Sequence, residues 1–558
     1  QVVLARSHLT LARLTGVLEK LEVPLLYLGD LFERSEIRDL LSLIALDAEF
    51  GNCGLVRLAG LDEYSVPRRD SIIVIHWARD NDKSIFEALS NLLHIEGLSA
   101  EGIAGLKRLA KQLDGFDFST SPWTLLTTWL FERSDYLKPL LASNDIHSQQ
   151  KRIAIYHLLK VCAEHVAMKE PSRRRFLQRI RRIEALNHDS IYRAVASEAA
   201  DMDAVRVMTI HGSKGLEFRG VHIPALATRY MPSSNRGSRV PVPVSLPQLT
   251  MEPEDHEAEE ECLFFVAISR ARDFISLTRA DYYTAQRSAP SKFLPLLRGV
   301  VSEKRANGSG KNYELPIVPR PQPVKTSYSE DELSAYLDCP AKYYYRVVEQ
   351  LRGGGSGSAY PGFHRCVFTT VKWIEQEMAA GKSVDVVAAV AQLQSTWNEI
   401  GPHKHPSAEY YLDTGEGIIR SIIKMMELER ATYCSDPWSV TLGGYTVTVV
   451  PDRVMIGSDG TVCVQKARTG RKTKSESEKR IYALLRAAAL EKYPGANVAV
   501  ETIYLATGER VPIPIRNDAK HLAEYAAAIQ GIIAGDFAAH PKQPSYCPGC
   551  EFYFICGV

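Results

Sequence analysis

The feature that most restricts the fold of this chain is a β signal that stops and then resumes. Near the start, the short apolar runs Val2–Ala5 and Leu25–Leu28 alternate with helical patterns over Leu9–Leu21 and Ile37–Leu46, the rhythm of a βαβ unit. The same rhythm returns only at Val205–Ile210, Val221–Ala225 and Phe274–Thr278. Between the two blocks lie amphipathic stretches such as Ser84–Leu93, Ile103–Leu113 and Arg152–Met168, separated by Gly, Pro and Asp clusters. One sheet split in sequence by a helical insertion is expected.

A Pro-, Ser-, Arg- and Lys-rich stretch over 286–326 has little periodicity and reads as a linker. After it come a helical pattern over Glu330–Val348, the low-complexity segment Gly353–Ser358, a helix near His364–Ala379, a β-rich stretch from Trp438 to Val464 and a helix over Ser477–Leu490. The expected division is 1–50 and 196–285 for the split sheet, 51–195 for the insertion, 286–326 for the linker and 327–558 for a second α/β domain. A length of 558 residues exceeds one core, and 45% hydrophobic with 24% charged residues is an ordinary globular composition. With 67 Lys and Arg against 66 Asp and Glu, any basic footprint has to be local. No apolar run approaches the roughly 20 residues that cross a bilayer, and no signal-peptide layout opens the chain, so a cytoplasmic protein without a membrane partner is expected. Gln1 leads straight into a strand, and an upstream segment is expected to be missing.

The segment Val205-Arg-Val-Met-Thr-Ile-His-Gly-Ser-Lys-Gly-Leu-Glu-Phe218 is a buried strand that delivers polar residues and two glycines at its C-terminal end, where open α/β sheets bind ligands. Taken alone, Gly-Ser-Lys-Gly is an ordinary tight turn. A second segment, Glu259-Glu-Glu-Cys-Leu-Phe-Phe-Val-Ala-Ile-Ser-Arg-Ala-Arg272, ends an apolar helix in arginines, which in isolation are ordinary helix-end cations. Together and in this order, the two resemble motifs V and VI of UvrD/Rep-type superfamily-1 DNA helicases. Val3-Leu-Ala-Arg6, Pro24-Leu-Leu-Tyr-Leu-Gly29 and Phe32-Glu-Arg-Ser-Glu-Ile-Arg-Asp39 are similar to motif IV and its continuation.

This resemblance implies a RecA-like domain 2A in two parts, split by the helical domain 2B. It implies that Arg6 and Arg270 approach the γ-phosphate of ATP as arginine fingers. Gly215 and Glu217 then belong to the nucleotide site, with Glu217 accepting from the ribose, while Thr209, His211, Ser213 and Lys214 contact single-stranded DNA. The other half of that site is missing from the sequence: no G-x-x-x-x-G-K-[ST] occurs, since Gly381-Lys-Ser383 has Gln376 where the first glycine must stand. ATP and Mg²⁺ are therefore expected to be shared with a separate N-terminal motor domain, and the chain alone to be inactive. Ser172-Arg-Arg-Arg-Phe-Leu-Gln-Arg-Ile-Arg-Arg182 carries six arginines on one helical pattern, suited either to packing against acidic partners or to duplex phosphates.

Cys547-Pro-Gly-Cys550-Glu-Phe-Tyr-Phe-Ile-Cys556 has C-x₂-C-x₅-C spacing, and Cys339 stands far upstream in Ser327-Tyr-Ser-Glu-Asp-Glu-Leu-Ser-Ala-Tyr-Leu-Asp-Cys-Pro-Ala-Lys-Tyr-Tyr-Tyr345. Four thiolates suit zinc or an iron–sulfur cluster, and spacing alone leaves both open. The upstream segment resembles the opening helix of RecB/AddB-type PD-(D/E)xK nuclease domains, which implies a 4Fe-4S cluster held by Cys339, Cys547, Cys550 and Cys556.

The nuclease pattern itself is only partly kept. Gly362-Phe-His364 is near the G-x-x-H element and Asp452 in Pro451-Asp-Arg-Val454 fits the strand-turn aspartate, so His364 and Asp452 are the candidate catalytic residues. Anchoring the third element on Thr469-Gly470 places Lys466 at the acidic position and Arg468 at the lysine, and no clear Gln opens the helix Lys479–Leu485. Metal-assisted cleavage needs carboxylates around the ion, so the nuclease domain is expected to be degenerate. Seven basic and two acidic residues between Gln465 and Arg480 would still attract phosphate.

The resulting expectation is the C-terminal part of an ATP-dependent helicase–nuclease of DNA repair and recombination, acting on single-stranded DNA and duplex ends with a second helicase–nuclease subunit. The alternatives are a non-enzymatic DNA-binding scaffold subunit, and an active metal-dependent exonuclease using substitutes such as Glu476 or Glu478.

Overall fold

The computed structural model describes the chain except residues 22, 28, 50, 118, 167–171, 187–201, 235–252, 284–286, 298, 301, 303–324, 352–359, 404–407, 429–436, 458, 470–471, 473–475, 506 and 557–558. The Gly353–Ser358 segment, Gly470 and most of the 286–326 linker lie outside the described residues. The chain divides into two compact units, Gln1–Glu314 and Leu315–Val558.

The first unit is built on a five-stranded sheet of β1 (Val2–Ala5), β2 (Leu25–Leu26), β3 (Val205–Thr209), β4 (Phe218–Ile223) and β5 (Ala271–Leu277), in the order β2-β3-β1-β4-β5. Every pairing is parallel. The central strand β1 takes both neighbours from beyond the insertion, with Val2–Ala5 in register with Arg206–Thr209 and Val2 opposite Val221. Both faces of a parallel sheet are covered, which is why β1 reads as an unbroken apolar run. Val2 and Leu4 pack with Val221, Phe264 and Ala267, whereas Val3 and Ala5 face Leu11, Leu25 and Val207.

Helix α1 (His8–Lys20) joins β1 to β2. Between β2 and β3 come α2 (Ser35–Ala45), α3 (Gly54–Leu58), α4 (Arg68–Asp80), α5 (Ile85–Ser90), α6 (Ala100–Leu113), α7 (Pro122–Thr128), α8 (Leu137–Ala142), α9 (Ile146–Val166) and α10 (Arg173–Ala185). Local sequence sets their starts. Ser84 and Glu87 form a capping box, Ser99 and Ser172 accept from the third backbone N–H of their helices, and Ser121 does so just before Pro122. Helix α11 (Pro253–Ile268) then leads into β5.

The arginine-rich segment is α10, and half of its arginines are internal. Arg173 donates to the carbonyls of Leu46 at 2.7 Å and Asp117 at 2.9 Å, Arg181 pairs with Glu49 at 3.0 Å and Arg179 with Glu164 at 3.4 Å. Arg174, Arg175 and Arg182 are exposed.

The second unit holds two sheets. One has the order β6-β8-β7, from β6 (Ser327–Ser329), β7 (Trp438–Leu442) and β8 (Tyr445–Val449). The other has the order β12-β11-β10-β9, from β9 (Arg453–Ile456), β10 (Val462–Arg468), β11 (Val498–Tyr504) and β12 (Glu509–Pro512). Its central pair β10 and β11 is parallel, and β9 and β12 are antiparallel to their neighbours. The helices are α12 (Glu330–Asp338), α13 (Pro340–Tyr343), α14 (Tyr360–Ala379), α15 (Val386–Ile400), α16 (Ala408–Leu428), α17 (Ile481–Lys492) and α18 (Asp518–Ile533), with α17 making the crossover from β10 to β11. One core gathers Tyr328, Leu333, Val464, Leu484 and Tyr525, and another joins Phe363, Val367, Leu393 and Ile419 to Ala467 and Ile503 of the second sheet.

The single helix expected over Glu330–Val348 is broken. Cys339 is extended (φ −167°, ψ 120°) because the residue before Pro340 is kept out of the α region, and Pro340 then starts a new helix. Among the described residues, no helix is long and apolar enough to cross a membrane.

Helix α6 passes so close to the preceding loop that only glycine fits at position 105. A Cβ there would lie 2.3 Å from the Tyr64 carbonyl oxygen and 2.6 Å from Val66 Cγ2. Gly105→Ala is expected to destabilise the first unit by about 1–3 kcal/mol, read as a lower urea midpoint in the fluorescence of the buried Trp129.

Candidate functional site

In the first unit, β1 ends at Ala5 and so places Arg6 at the C-terminal edge of the sheet. Arg6 Nε donates to Glu260 Oε1 at 2.8 Å. Glu260 is only 2% exposed and also accepts from the backbone N–H and the hydroxyl of Ser233, at 2.8 and 3.0 Å. Burial pushes this carboxyl up, but the bonds from Ser233 and Arg6 and the charge of Arg6 outweigh it and hold the pKa below the ordinary value.

The segment after β3 opens with a tight turn, His211–Ser213. Thr209 Oγ1 accepts from Gly212 N at 3.2 Å, and the buried Ser213 hydroxyl donates to the Ile210 carbonyl at 2.7 Å. Gly215 has φ +81°, a left-handed conformation suited to glycine, and Lys214 and Glu217 on either side of it are exposed. His211 is lowered by burial and by the charge of Arg6, with Glu260 opposing.

At the far end of this segment, Arg270 Nη1 donates to the Leu216 carbonyl at 3.3 Å and Phe218 N donates to the Arg270 carbonyl at 2.9 Å. The buried Nε of Arg270 meets no acceptor among the described residues. Helix α11 thus carries Glu260, which holds Arg6, and runs directly into Ser269 and Arg270. Eight residues, about 12 Å of helical rise, separate Glu260 from Ile268. Arg6, His211 and Glu260 come together at one end of the Thr209–Glu217 segment, and Arg270 meets its other end at Leu216.

In the second unit, β9 and β10 bring Asp452 onto Lys466. Asp452 Oδ1 accepts from Lys466 Nζ at 2.8 Å and Oδ2 from Ala467 N at 2.8 Å, while Lys466 Nζ also donates to the Val450 carbonyl at 3.3 Å. Arg468 shares a strand face with Lys466, two residues along β10. Its Nε donates to Glu476 at 2.7 Å and its Nη2 to Tyr482 at 3.4 Å.

Glu476 is buried and also accepts from Lys479 at 2.6 Å and from the Tyr482 hydroxyl, which in turn accepts from Thr502 at 2.8 Å. Burial raises the Glu476 carboxyl, yet hydrogen bonds from Lys479, Tyr482 and Arg468 bring it below the ordinary value. Of the two substitute carboxylates, Glu476 is held by three donors and Glu478 is exposed.

His364 on α14 is lowered by burial and by the charge of Arg468, with Asp452 opposing. Eleven residues on, three turns along the same helical face, Glu375 is pushed up to about 8. Burial is the main cause, Arg453 opposes it, Asp452 adds to it and Lys372 opposes it. No motif marks Glu375, and its only sequence signal is that helical spacing from His364.

The cysteines come from both ends of this unit. Cys339 sits in the break between α12 and α13, and Cys547 and Cys550 flank a turn in which Cys550 N donates to the Cys547 carbonyl at 2.9 Å. The Cys550 thiol is raised first by burial, with the Phe552 N–H and Lys342 opposing and Glu551 and Cys339 adding. The fold therefore carries Cys550 in the tail to within electrostatic reach of Cys339. Cys556 lies one turn further, its N–H donating to the Phe552 carbonyl at 3.0 Å. The donor set is four partly buried thiols, which fits a thiophilic metal or cluster.

Residues 101–281 match the family model described as the UvrD-like helicase C-terminal domain, and residues 327–557 match that of the PD-(D/E)XK nuclease superfamily. The chain is similar to a probable DNA helicase II homolog of Rickettsia conorii, 24% identical over 273 residues that make up 47% of this chain and 38% of the relative. It is similar to DNA helicase II of Escherichia coli, 23% identical over 270 residues, 47% of this chain and 35% of the relative. The ATP-dependent DNA helicase PcrA of Staphylococcus aureus is 24% identical over 316 residues, 54% of this chain and 39% of the relative. The chain spans well under half the length of each of these relatives.

Glu375 sets a testable pH dependence. Its folded pKa of about 8 lies above the ordinary 4.5, so its contribution is fully present below 4.5 and is lost as pH rises through 8. Glu375→Gln is expected to raise the urea midpoint of the second unit relative to the native chain at pH 8.5 and to leave it little changed at pH 4.5.

Proposed function

We propose that this chain, which carries a UvrD-like helicase C-terminal domain followed by a PD-(D/E)XK nuclease superfamily domain, is the C-terminal part of an ATP-dependent DNA helicase–nuclease acting in DNA repair and recombination. ATP binds between this part and a first motor domain that supplies the phosphate-cradling loop and the Mg²⁺ carboxylate. Arg6 and Arg270 neutralise charge that develops on the γ-phosphate. Gly215 and Glu217 meet the nucleotide, with Glu217 accepting from the ribose, while Thr209, His211, Ser213 and Lys214 touch single-stranded DNA. The observation that carries this reading is the Thr209–Glu217 segment, flanked by the Arg6–Glu260 pair at one end and bonded to Arg270 at the other. A nucleotide drawing on both arginines pulls on the segment that meets DNA. A second helicase–nuclease subunit and duplex ends complete the assembly.

The nuclease domain on this reading no longer cuts. An ammonium at the position of an acidic ligand, 2.8 Å from the one remaining aspartate, repels the divalent ion that phosphodiester cleavage needs. Cys339, Cys547, Cys550 and Cys556 hold a 4Fe-4S cluster whose task is structural. It joins the first helix of the domain to its tail and removes loop entropy from the unfolded chain.

The chain alone is expected to release no phosphate from ATP with or without DNA, and measurable DNA-stimulated release in a malachite-green assay would refute the split-site reading. In the full-length protein, Arg270→Ala is expected to lower kcat for ATP by about a thousandfold with DNA binding retained. The native chain is expected to leave single-stranded DNA intact in Mn²⁺, and the pair Lys466→Glu with Arg468→Lys to confer Mn²⁺-dependent cleavage that Asp452→Ala abolishes. Metal analysis of anaerobically purified protein should give iron and sulfide, both lost in Cys550→Ser. Zinc in their place would overturn the cluster assignment.

A further inference from the structure

We infer that Lys466 is a built-in substitute for the divalent cation of the nuclease-like pocket, so that the pocket grips the phosphodiester backbone of a nucleic-acid strand without metal. This rests on the reading that the domain does not cleave, and it goes beyond that reading in naming the ligand, the gripping groups and their independence of metal.

The contacts around Asp452 make the case. Its two oxygens are both answered by the protein, one by Lys466 Nζ and one by the Ala467 N–H, each at 2.8 Å. A divalent ion would have to displace an ammonium already in ion-pair contact. That ammonium has three donors; among the described residues, Asp452 and the Val450 carbonyl take two. The third is free for one more acceptor, and with its side chain 16% exposed Lys466 is recessed but not sealed.

Arg468 repeats the arrangement. A guanidinium has five N–H donors, of which one goes to Glu476 and one to Tyr482. Glu476 is itself fixed by Lys479 and Tyr482, and Tyr482 by Thr502. The guanidinium is therefore preorganised, 26% exposed, with donors left over among the described residues.

Charge around the pocket favours an anion. Lys466, Arg468 and Lys479 stand against Asp452 and Glu476. Two partly exposed cations two residues apart on one strand face lie about 6–7 Å apart along β10, close to the phosphate spacing of an extended nucleic-acid strand. The ligand class that matches is a run of phosphodiesters, gripped by position and charge rather than by base identity.

The test uses the whole chain and an oligothymidylate carrying 4-thiothymidine, irradiated in EDTA, with adducts mapped by mass spectrometry. Mapping separates this pocket from DNA contacts in the first unit. Adducts are expected in the peptide containing Val462–Arg468 without any metal. In Lys466→Glu they are expected to fall about tenfold in EDTA and to return with Mn²⁺, because a carboxylate beside Asp452 recreates a cation site. Lys466→Gln, which adds no like charge beside Asp452 and keeps an amide N–H able to donate to it, is checked for folding by its thermal transition and is expected to lower the salt slope of adduct formation by about one. Adducts that require Mn²⁺ in the native chain, or that persist unchanged in both variants, would overturn the inference alone. Mn²⁺-dependent cutting of the oligonucleotide by the native chain would overturn the non-cleaving reading as well.

Discussion

Both units are organised around carboxylates that the fold has taken out of water and then had to answer. A buried charge is tolerated only when it is paired and hydrogen-bonded, and removing one partner of such a pair costs about 3–5 kcal/mol. Glu260 is answered three times, by Arg6 and twice by Ser233. The two Ser233 bonds would leave Glu260 hydrogen-bonded without Arg6. Among the described residues, Arg270 stands differently, with one weak bond to the Leu216 carbonyl and a buried Nε that meets no acceptor. An unsatisfied buried donor is itself a cost of about 1–3 kcal/mol, and an incoming phosphate oxygen would relieve it.

In the second unit the same rule holds for Glu476, Asp452 and Glu375. Glu476 accepts from Arg468, Lys479 and Tyr482, which take three of the about four lone-pair sites of a carboxylate. Asp452 is satisfied by Lys466 and the Ala467 amide. Glu375, the third carboxylate near the pocket, escapes the cost of burial by holding its proton up to about pH 8. Asp452 and Glu476 are thus neutralised by basic side chains and Glu375 by a proton.

How much of this could be read in the sequence follows from which interactions are local. The split sheet was legible because both of its blocks carry strand periodicity, and β1 pairs with β3 and β4 across the inserted helices. The polar turn after β3 and the arginine after α11 were legible as motifs, since each is a contiguous run. The break at Cys339 had its signal in Pro340, but the apolar pattern continuing to Val348 masked it. Helices α15, α16 and α18 and strands β11 and β12 carried no motif and were missed. The pairing of Asp452 with Lys466 depends on the register between β9 and β10, where Gln465 lies opposite Arg453. Neither residue alone specifies that register. The nearness of Glu375 to Asp452 needs the packing of α14, which involves Ala467 and Ile503 of the sheet and is wholly non-local.

The C-terminal tail shows how far ordinary contacts go before any metal is considered. Lys542 N donates to the Asp338 carbonyl at 2.9 Å, immediately before Cys339, and the Tyr336 hydroxyl donates to the Asp536 carbonyl at 2.8 Å. Phe537 stacks on Tyr343 with ring centroids 5.9 Å apart, and Tyr345 meets Phe552 at 5.2 Å between Cys550 and Cys556. Aromatic pairs of this kind contribute about 0.5–1.5 kcal/mol each beyond their burial. The two ends of the domain are thus held at the cysteines by apolar packing and backbone bonds. In the unfolded chain the same cysteines are separated by most of the domain, where closing the loop between them is costly. The break at Cys339 comes from the extended residue before Pro340, where the chain turns between α12 and α13.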